Sequence, residues 1–183
     1  RNLDGFYENS PCCNNTASEN SMMERLIVDD LVHWAVDYKI DGFRFDLMGH
    51  IMLRTILRAR DALAALTVER DGVDGRSIYL YGEGWDYAEV ERNRVGKNAS
   101  QLNLAGTGVG SFNDRLREGI MGGSPFGDPR VQGVVTGFYF APNGFIDQGT
   151  ADNQRNRVME DCEKVIAAMA GNLSSLPRTY SAG

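Results

Sequence analysis

The chain has 183 residues, a net charge of −6, and 42% apolar and 24% charged residues, an ordinary balance for a globular protein with a hydrophobic core. The acidic balance argues against a nucleic-acid partner, whose phosphates would repel it, and suits a neutral substrate. No apolar run reaches the roughly 20 residues of a membrane span, which argues against a membrane-embedded chain. The chain opens at Arg1-Asn2-Leu3-Asp4-Gly5 without an initiator Met. It therefore reads as a piece of a longer product and carries no information on targeting. Cys12, Cys13 and Cys162 make an odd count, and two adjacent cysteines pair poorly, so small buried or half-buried thiols are expected rather than a disulfide framework. His33 and His50 stand apart, with no zinc-ligand spacing. N-x-S/T sequons begin at Asn14, Asn98 and Asn172.

Residues 1–20, rich in Asn with Ser and Gly among them, read as loop. Ser21 and Glu24 fit a capping box that opens a helix. Its apolar face carries Met23, Ile27, Leu31, Trp34 and Tyr38, which places Trp34 in the core. From Ile40 to Asp46 the period changes to two. Phe43 and Phe45 share one face, and Gly42, Arg44 and Asp46 the other, as in a strand with a bulky apolar side and a charged side. A second helix spans about His50–Thr67, with Met52, Ile56, Ala59, Leu63 and Leu66 in phase. Asp71-Gly72 and Asp74-Gly75 mark turns. Ser77–Glu83 is again strand-like, with Ile78, Leu80 and Gly82 on one face and Tyr79, Tyr81 and Glu83 on the other. Ser111-Phe112-Asn113-Asp114 resembles a helix cap before a short helix carrying Phe112, Leu116 and Ile120. Residues 121–149 are Gly/Pro-rich with one strand candidate, Gly133–Phe140. A last helix spans about Ala151–Ala170, with Val158, Cys162, Val165, Ile166 and Met169 inward and Gly171 as its stop. The helix–strand–helix–strand order predicts an α/β fold with parallel strands.

Asp46 and Glu83 each fall at the C-terminal end of a predicted parallel strand, where β/α barrels build their active sites. The strands are successive, which makes them neighbours. Two carboxylates so placed suit glycoside hydrolysis, one attacking the anomeric carbon and the other protonating the leaving oxygen. Retention of configuration requires them roughly 5–5.5 Å apart. Arg44, on the same face as Asp46, would hold the nucleophile ionised and oriented. Tyr79, Tyr81 and Trp85 would give Glu83 partly apolar surroundings suited to a neutral acid. A strand-end carboxylate that only caps a helix or faces water is the competing reading.

Gly42-Phe43-Arg44-Phe45-Asp46 and Gly82-Glu83-Gly84-Trp85 resemble the nucleophile and acid/base motifs of glycoside hydrolase family 13, the α-amylase family. The longer strings Asp41–His50, Tyr79–Trp85 and Gly106–Arg115, with Asn14–Glu19, resemble the pullulanase and limit dextrinase group. The resemblance covers residues 2–149 and fades after Gly171. It implies a (β/α)₈ barrel, here partial and truncated at both ends, with strands three or four through six. All of 1–183 then belongs to one catalytic domain.

The implied reaction is retaining hydrolysis of α-1,6 branch links in pullulan, amylopectin or limit dextrins, with Asp46 as nucleophile and Glu83 as general acid/base. The family's third carboxylate, an Asp after a His on a later strand, has no match here, so the chain alone is expected to be inactive. Trp85 and Tyr87 would stack on sugar rings, or simply pack. Asn113 and Arg115 would bond sugar hydroxyls, or cap a helix and carry surface charge. His50 caps or packs. No cofactor is implied for the chemistry. A structural calcium accompanies many members, although no compact loop of oxygen ligands is evident. Ser100-Gln101-Leu102-Asn103-Leu104 looks more like plant and algal limit dextrinases and implies a plastid; a bacterial source would imply an extracellular or periplasmic protein. The sequence does not specify oligomeric state. A catalytically inactive α-glucan-binding relative and an enzyme of isoamylase-like specificity are the alternatives.

Overall fold

A computed structural model of the chain describes residues 7, 9–10, 13–147 and 149–170. These fall into two compact units, Arg1–Phe112 and Asn113–Gly183. The first contains α1 (Ser21–Tyr38), β1 (Gly42–Phe45), α2 (Leu53–Ala64), a single turn α3 (Val68–Asp71), β2 (Tyr79–Gly82) and β3 (Gly110–Ser111). The three strands form a parallel sheet in the order β1-β2-β3. Gly42 pairs with Tyr79 and Phe45 with Gly82, while Tyr81 pairs with Gly110. The fold is thus α/β with a small parallel sheet. β3 escaped the sequence reading because two residues, Gly and Ser, show no alternation.

The register puts Phe43 and Phe45 on the sheet face that packs against α1 and α2. There Leu31, Ala35, Ile56, Ala59, Leu63 and Leu80 form the buried core. The apolar stripe expected on α2, from Met52 to Leu66, is buried throughout. The helix starts at Leu53 rather than His50, because Met48–His50 forms a 3₁₀ turn that reverses the chain after β1. On α1 the buried face is rotated from the expected one. Leu31 and Ala35 are buried, whereas Trp34 and Tyr38 are 46% and 60% exposed and meet in a tilted ring contact at 4.6 Å. The small side chain of Ala35 lets the helices approach closely; a tryptophan on that line would hold them apart.

The capping box does not form. Asn20 is the N-cap of α1 and makes no side-chain cap bond. The Glu24 carboxylate is buried between α1 and α2, where it accepts from Thr55 Oγ1 (3.1 Å) and pairs with Arg54 Nε (3.0 Å) and Arg58. Two guanidinium groups and a hydroxyl offer a carboxylate more than a single backbone N–H does.

The second unit contains α4 (Asp114–Met121) and α5 (Ala151–Met169). Gly119 of α4 gives the close approach to Asp161 and Val165 of α5. Gly133–Phe140 is not a strand. Its amides close successive turns, Phe138 N to Gly133 O and Ala141 N to Gly137 O, and Thr136 Oγ1 donates to Met121 O. On α5 the buried residues are Asp161, Ala167 and Ala168, while Ile166 and Met169, expected inward, are exposed. Gly171, Cys12 and Asn172 lie outside the described residues. Cys13 is exposed rather than buried, and Cys162 is half-buried. Of the sequons, Asn14 is exposed and Asn98 is buried, which closes Asn98 to glycosylation. Among the described residues no helix is long and apolar enough to cross a membrane.

Candidate active site

β1 ends at Phe45, so Asp46 stands one residue beyond the strand, at its C-terminal end. Leu47 then takes a left-handed conformation (φ 43°) that turns the chain into the Met48–His50 turn. A leucine holds that backbone only where its surroundings fix it. Here the Leu47 amide donates to Glu83 Oε2 at 2.7 Å, and the Gly49 amide donates to the Glu83 carbonyl at 2.8 Å. Glu83 likewise stands one residue beyond β2, and its amide extends the ladder to Phe45 O at 3.1 Å. Both carboxylates therefore leave the same edge of adjacent parallel strands, on the face away from the core.

Arg44 joins them. Its Nη1 donates to Asp46 Oδ1 and its Nη2 to Glu83 Oε1, each at 2.7 Å. The hydrogen bond to Asp46, backed by the charges of Glu83 and Asp46, holds the guanidinium proton more tightly than in an ordinary arginine. Its Cζ lies 5.3 Å from the Phe112 ring centroid, a cation–π contact. The carboxylates differ in access: the Asp46 side chain is 73% exposed and that of Glu83 11%. The surroundings of Glu83 depart from the expectation, because donors rather than apolar rings occupy both its oxygens. Tyr79 and Tyr81 stack on each other at 5.6 Å instead.

Trp85 and Tyr87 are half-buried on the loop after β2, with ring centroids 6.4 Å apart. Tyr87 meets the His50 ring edge-on at 5.1 Å. His50 is buried, in keeping with a packing role. Asn113 and Arg115 belong to the second unit. Asn113 Oδ1 accepts from Leu116 N at 3.2 Å as the N-cap of α4, and its Nδ2 donates to Ala168 O at 3.2 Å. Arg115 is half-buried in the first turn of α4. The structure thus gathers Arg44, Asp46 and Glu83 into one hydrogen-bonded cluster with Trp85 and Tyr87 on the adjoining loop. Sequence reasoning missed Phe112, assigned to a helix face, and the Leu47 amide, whose role depends on a left-handed turn that no pattern announces. Among the described residues, no group of three or more His, Cys, Asp or Glu side chains could hold a metal ion.

A pair of carboxylates on adjacent strand ends, one exposed and one nearly buried, is an arrangement that acid/nucleophile chemistry can use. No family model matches the chain. It is, however, homologous to a segment of pullulanases over 93% or more of its length. It is 54% identical to the chloroplastic pullulanase 1 of Arabidopsis thaliana over 183 residues, all of this chain and 19% of that protein. With the pullulanase of Klebsiella aerogenes it shares 41% identity over 174 residues, 93% of this chain and 14% of that one. Its structure resembles the maltotriose complex of PulA from Klebsiella pneumoniae, with a TM-score of 0.75 and 41% identity over 93% of this chain and 17% of that one. The chain therefore spans less than a fifth of the length of these relatives.

Proposed function

We propose that residues 1–183 form the middle strands of a (β/α)₈ catalytic domain in a starch-debranching α-1,6-glucosidase. The observation that carries this reading is the Arg44 fork, which holds Asp46 and Glu83 side by side at the C-terminal ends of adjacent parallel strands. Homology to pullulanases, one of them solved with maltotriose, supports an α-glucan such as pullulan, amylopectin or a limit dextrin as the substrate. The chloroplastic relative supports a plastid location.

Asp46, the exposed carboxylate, attacks the anomeric carbon. The bond from that carbon to the glycosidic oxygen breaks, and the oxygen takes the proton of Glu83. Water then gives a proton to the Glu83 carboxylate and attacks the same carbon, releasing Asp46 and restoring both groups. Arg44 keeps Asp46 aligned throughout. For Glu83 to carry its proton, one oxygen must exchange an accepted hydrogen bond for a donated one. The substrate's glycosidic oxygen is the acceptor that this exchange requires. Trp85 and Tyr87 offer ring faces to sugar C–H groups, whereas both polar groups of Asn113 are taken up by the cap of α4 and by Ala168 O, which favours the capping role for it. The chemistry is assigned to side chains without a cofactor.

The test is pullulan hydrolysis by the complete gene product beside its Asp46→Asn and Glu83→Gln variants. Release of maltotriose by wild type is expected. Loss should be about 10⁴-fold or more for Asp46→Asn and roughly 10²–10⁴-fold for Glu83→Gln. Pullulan binding without cleavage by wild type would instead indicate a glucan-binding protein. Preference for glycogen over pullulan would indicate isoamylase-like specificity.

A further inference from the structure

The turn that carries Asp46 and the loop that carries Trp85 and Tyr87 are joined a second time, away from Arg44. His50, the last residue of the turn, directs Nδ1 at Glu89 Oε1 across 2.5 Å. Both side chains are almost wholly inaccessible, at 4% and 8%. With Glu89 as the carboxylate its oxygen accepts, and His50 Nδ1 is the donor. Asn15 Nδ2 donates to the same Oε1, and Asn15 Oδ1 in turn accepts from the Ser10 amide at 3.1 Å. Tyr87 packs its ring edge-on against His50. The loop's far end is tied as well, since Arg94 Nε donates to the Glu89 carbonyl at 3.1 Å.

Burying a carboxylate beside an imidazole costs desolvation that well-packed apolar residues would avoid. Its effect is positional: a short, dry, charge-assisted bond fixes two backbones that no strand pairing joins. Between Glu83 and Glu89 the chain forms no ladder, and its entry into this loop is held by the Gly49 amide on the Glu83 carbonyl. The His50–Glu89 bond supplies the matching restraint at the exit.

We propose that His50 and Glu89 are positioning residues that clamp the Glu83–Glu89 loop onto the Asp46–His50 turn, holding the acid and its aromatic neighbours in register with the nucleophile. The inference rests on the catalytic reading of Asp46 and Glu83. Neither residue touches the reacting atoms.

The test uses the complete gene product and pullulan, with kcat, KM and thermal unfolding measured for each variant. Glu89→Leu and His50→Leu are expected to lower kcat by roughly tenfold to a hundredfold, as displacing a reacting group by about an ångström does. The double variant should be no worse than the poorer single, because both remove one contact. Glu89→Gln keeps the acceptor and the shape but makes the bond neutral, and should recover most of the lost kcat. If the leucine variants do not fold, Glu89→Gln decides. A fall in kcat of a few-fold at unchanged KM and unfolding temperature supports the clamp, and an unchanged kcat overturns it. Folded leucine variants with wild-type kcat, or additive losses in the double variant, also overturn it. Asp46→Asn is the control for the underlying reading. If that variant cleaves pullulan normally, the catalytic assignment fails, whatever Glu89 does.

Discussion

Gly82 sits where β1 and β2 deliver their two carboxylates, and replacing it with alanine tests whether the spacing of those strand ends matters. A Cβ there would lie 2.4 Å from the Phe45 carbonyl oxygen and 3.0 Å from the Cβ atoms of Phe45 and Met48. Comfortable non-bonded contacts begin near 3.5 Å, so the strand ends must part by about 1 Å. Two of the three obstructing atoms belong to Phe45 and its backbone, and none can swing aside by a rotamer change. The φ of Gly82 is not left-handed, so the alanine backbone is unstrained and the whole effect is contact. Overpacking of this kind costs about 1–3 kcal/mol. The parting stretches the bond from Glu83 N to Phe45 O and shifts Glu83 relative to Asp46, which should lower kcat about a hundredfold.

Gly106→Ala is the matched control. It has a left-handed φ of 76° but nothing within 4 Å of its missing Cβ. It should cost about 1 kcal/mol of stability and leave kcat intact. Pullulan kinetics and thermal unfolding of both variants of the complete gene product decide the matter. A Gly82→Ala enzyme as active as Gly106→Ala would refute the reasoning.

Arg44→Lys keeps the charge but has one nitrogen where two are used, so it can serve only one carboxylate. Steady-state kinetics should show kcat lower by about ten- to a hundredfold at nearly unchanged stability. Glu24→Gln removes the charge that joins Thr55, Arg54 and Arg58 and should destabilise the first unit by about 1–3 kcal/mol, read by denaturant unfolding. Asp128, held by Arg130, has its carboxyl lowered to about 2. A folded-state value below the unfolded one means this pair favours the fold above the ordinary aspartate range and loses that effect as pH falls toward 2. An NMR titration should find the low midpoint, and Arg130→Ala should raise it.

The parts legible in the sequence were those fixed by local period. α2 showed its buried stripe without error, and the alternation around Arg44 and Tyr81 put the charged face where the sheet register places it. The failures arose where tertiary packing chose between local options. Both Trp34 and Ala35 lie on plausible faces of α1, and the close approach of α2 selects the smaller. Glu24 fits a capping box until Arg54 and Arg58 arrive from another helix. Phe112 reads as the start of a helix face but directly follows a strand too short to show a period. The Arg44 fork was half legible: its bond to Asp46 follows from spacing, whereas its bond to Glu83 needs the register between β1 and β2.

The central claim is that Asp46 forms a covalent bond to the sugar. Glu83→Gln of the complete gene product, given a maltotriosyl fluoride, tests it directly. Fluoride leaves without a proton, but the following attack by water lacks its base, so a glycosyl-enzyme should accumulate. Peptide mass spectrometry should find the maltotriosyl group on the peptide that contains Asp46. An adduct on another carboxylate, or steady fluoride release with no adduct, would contradict the assignment.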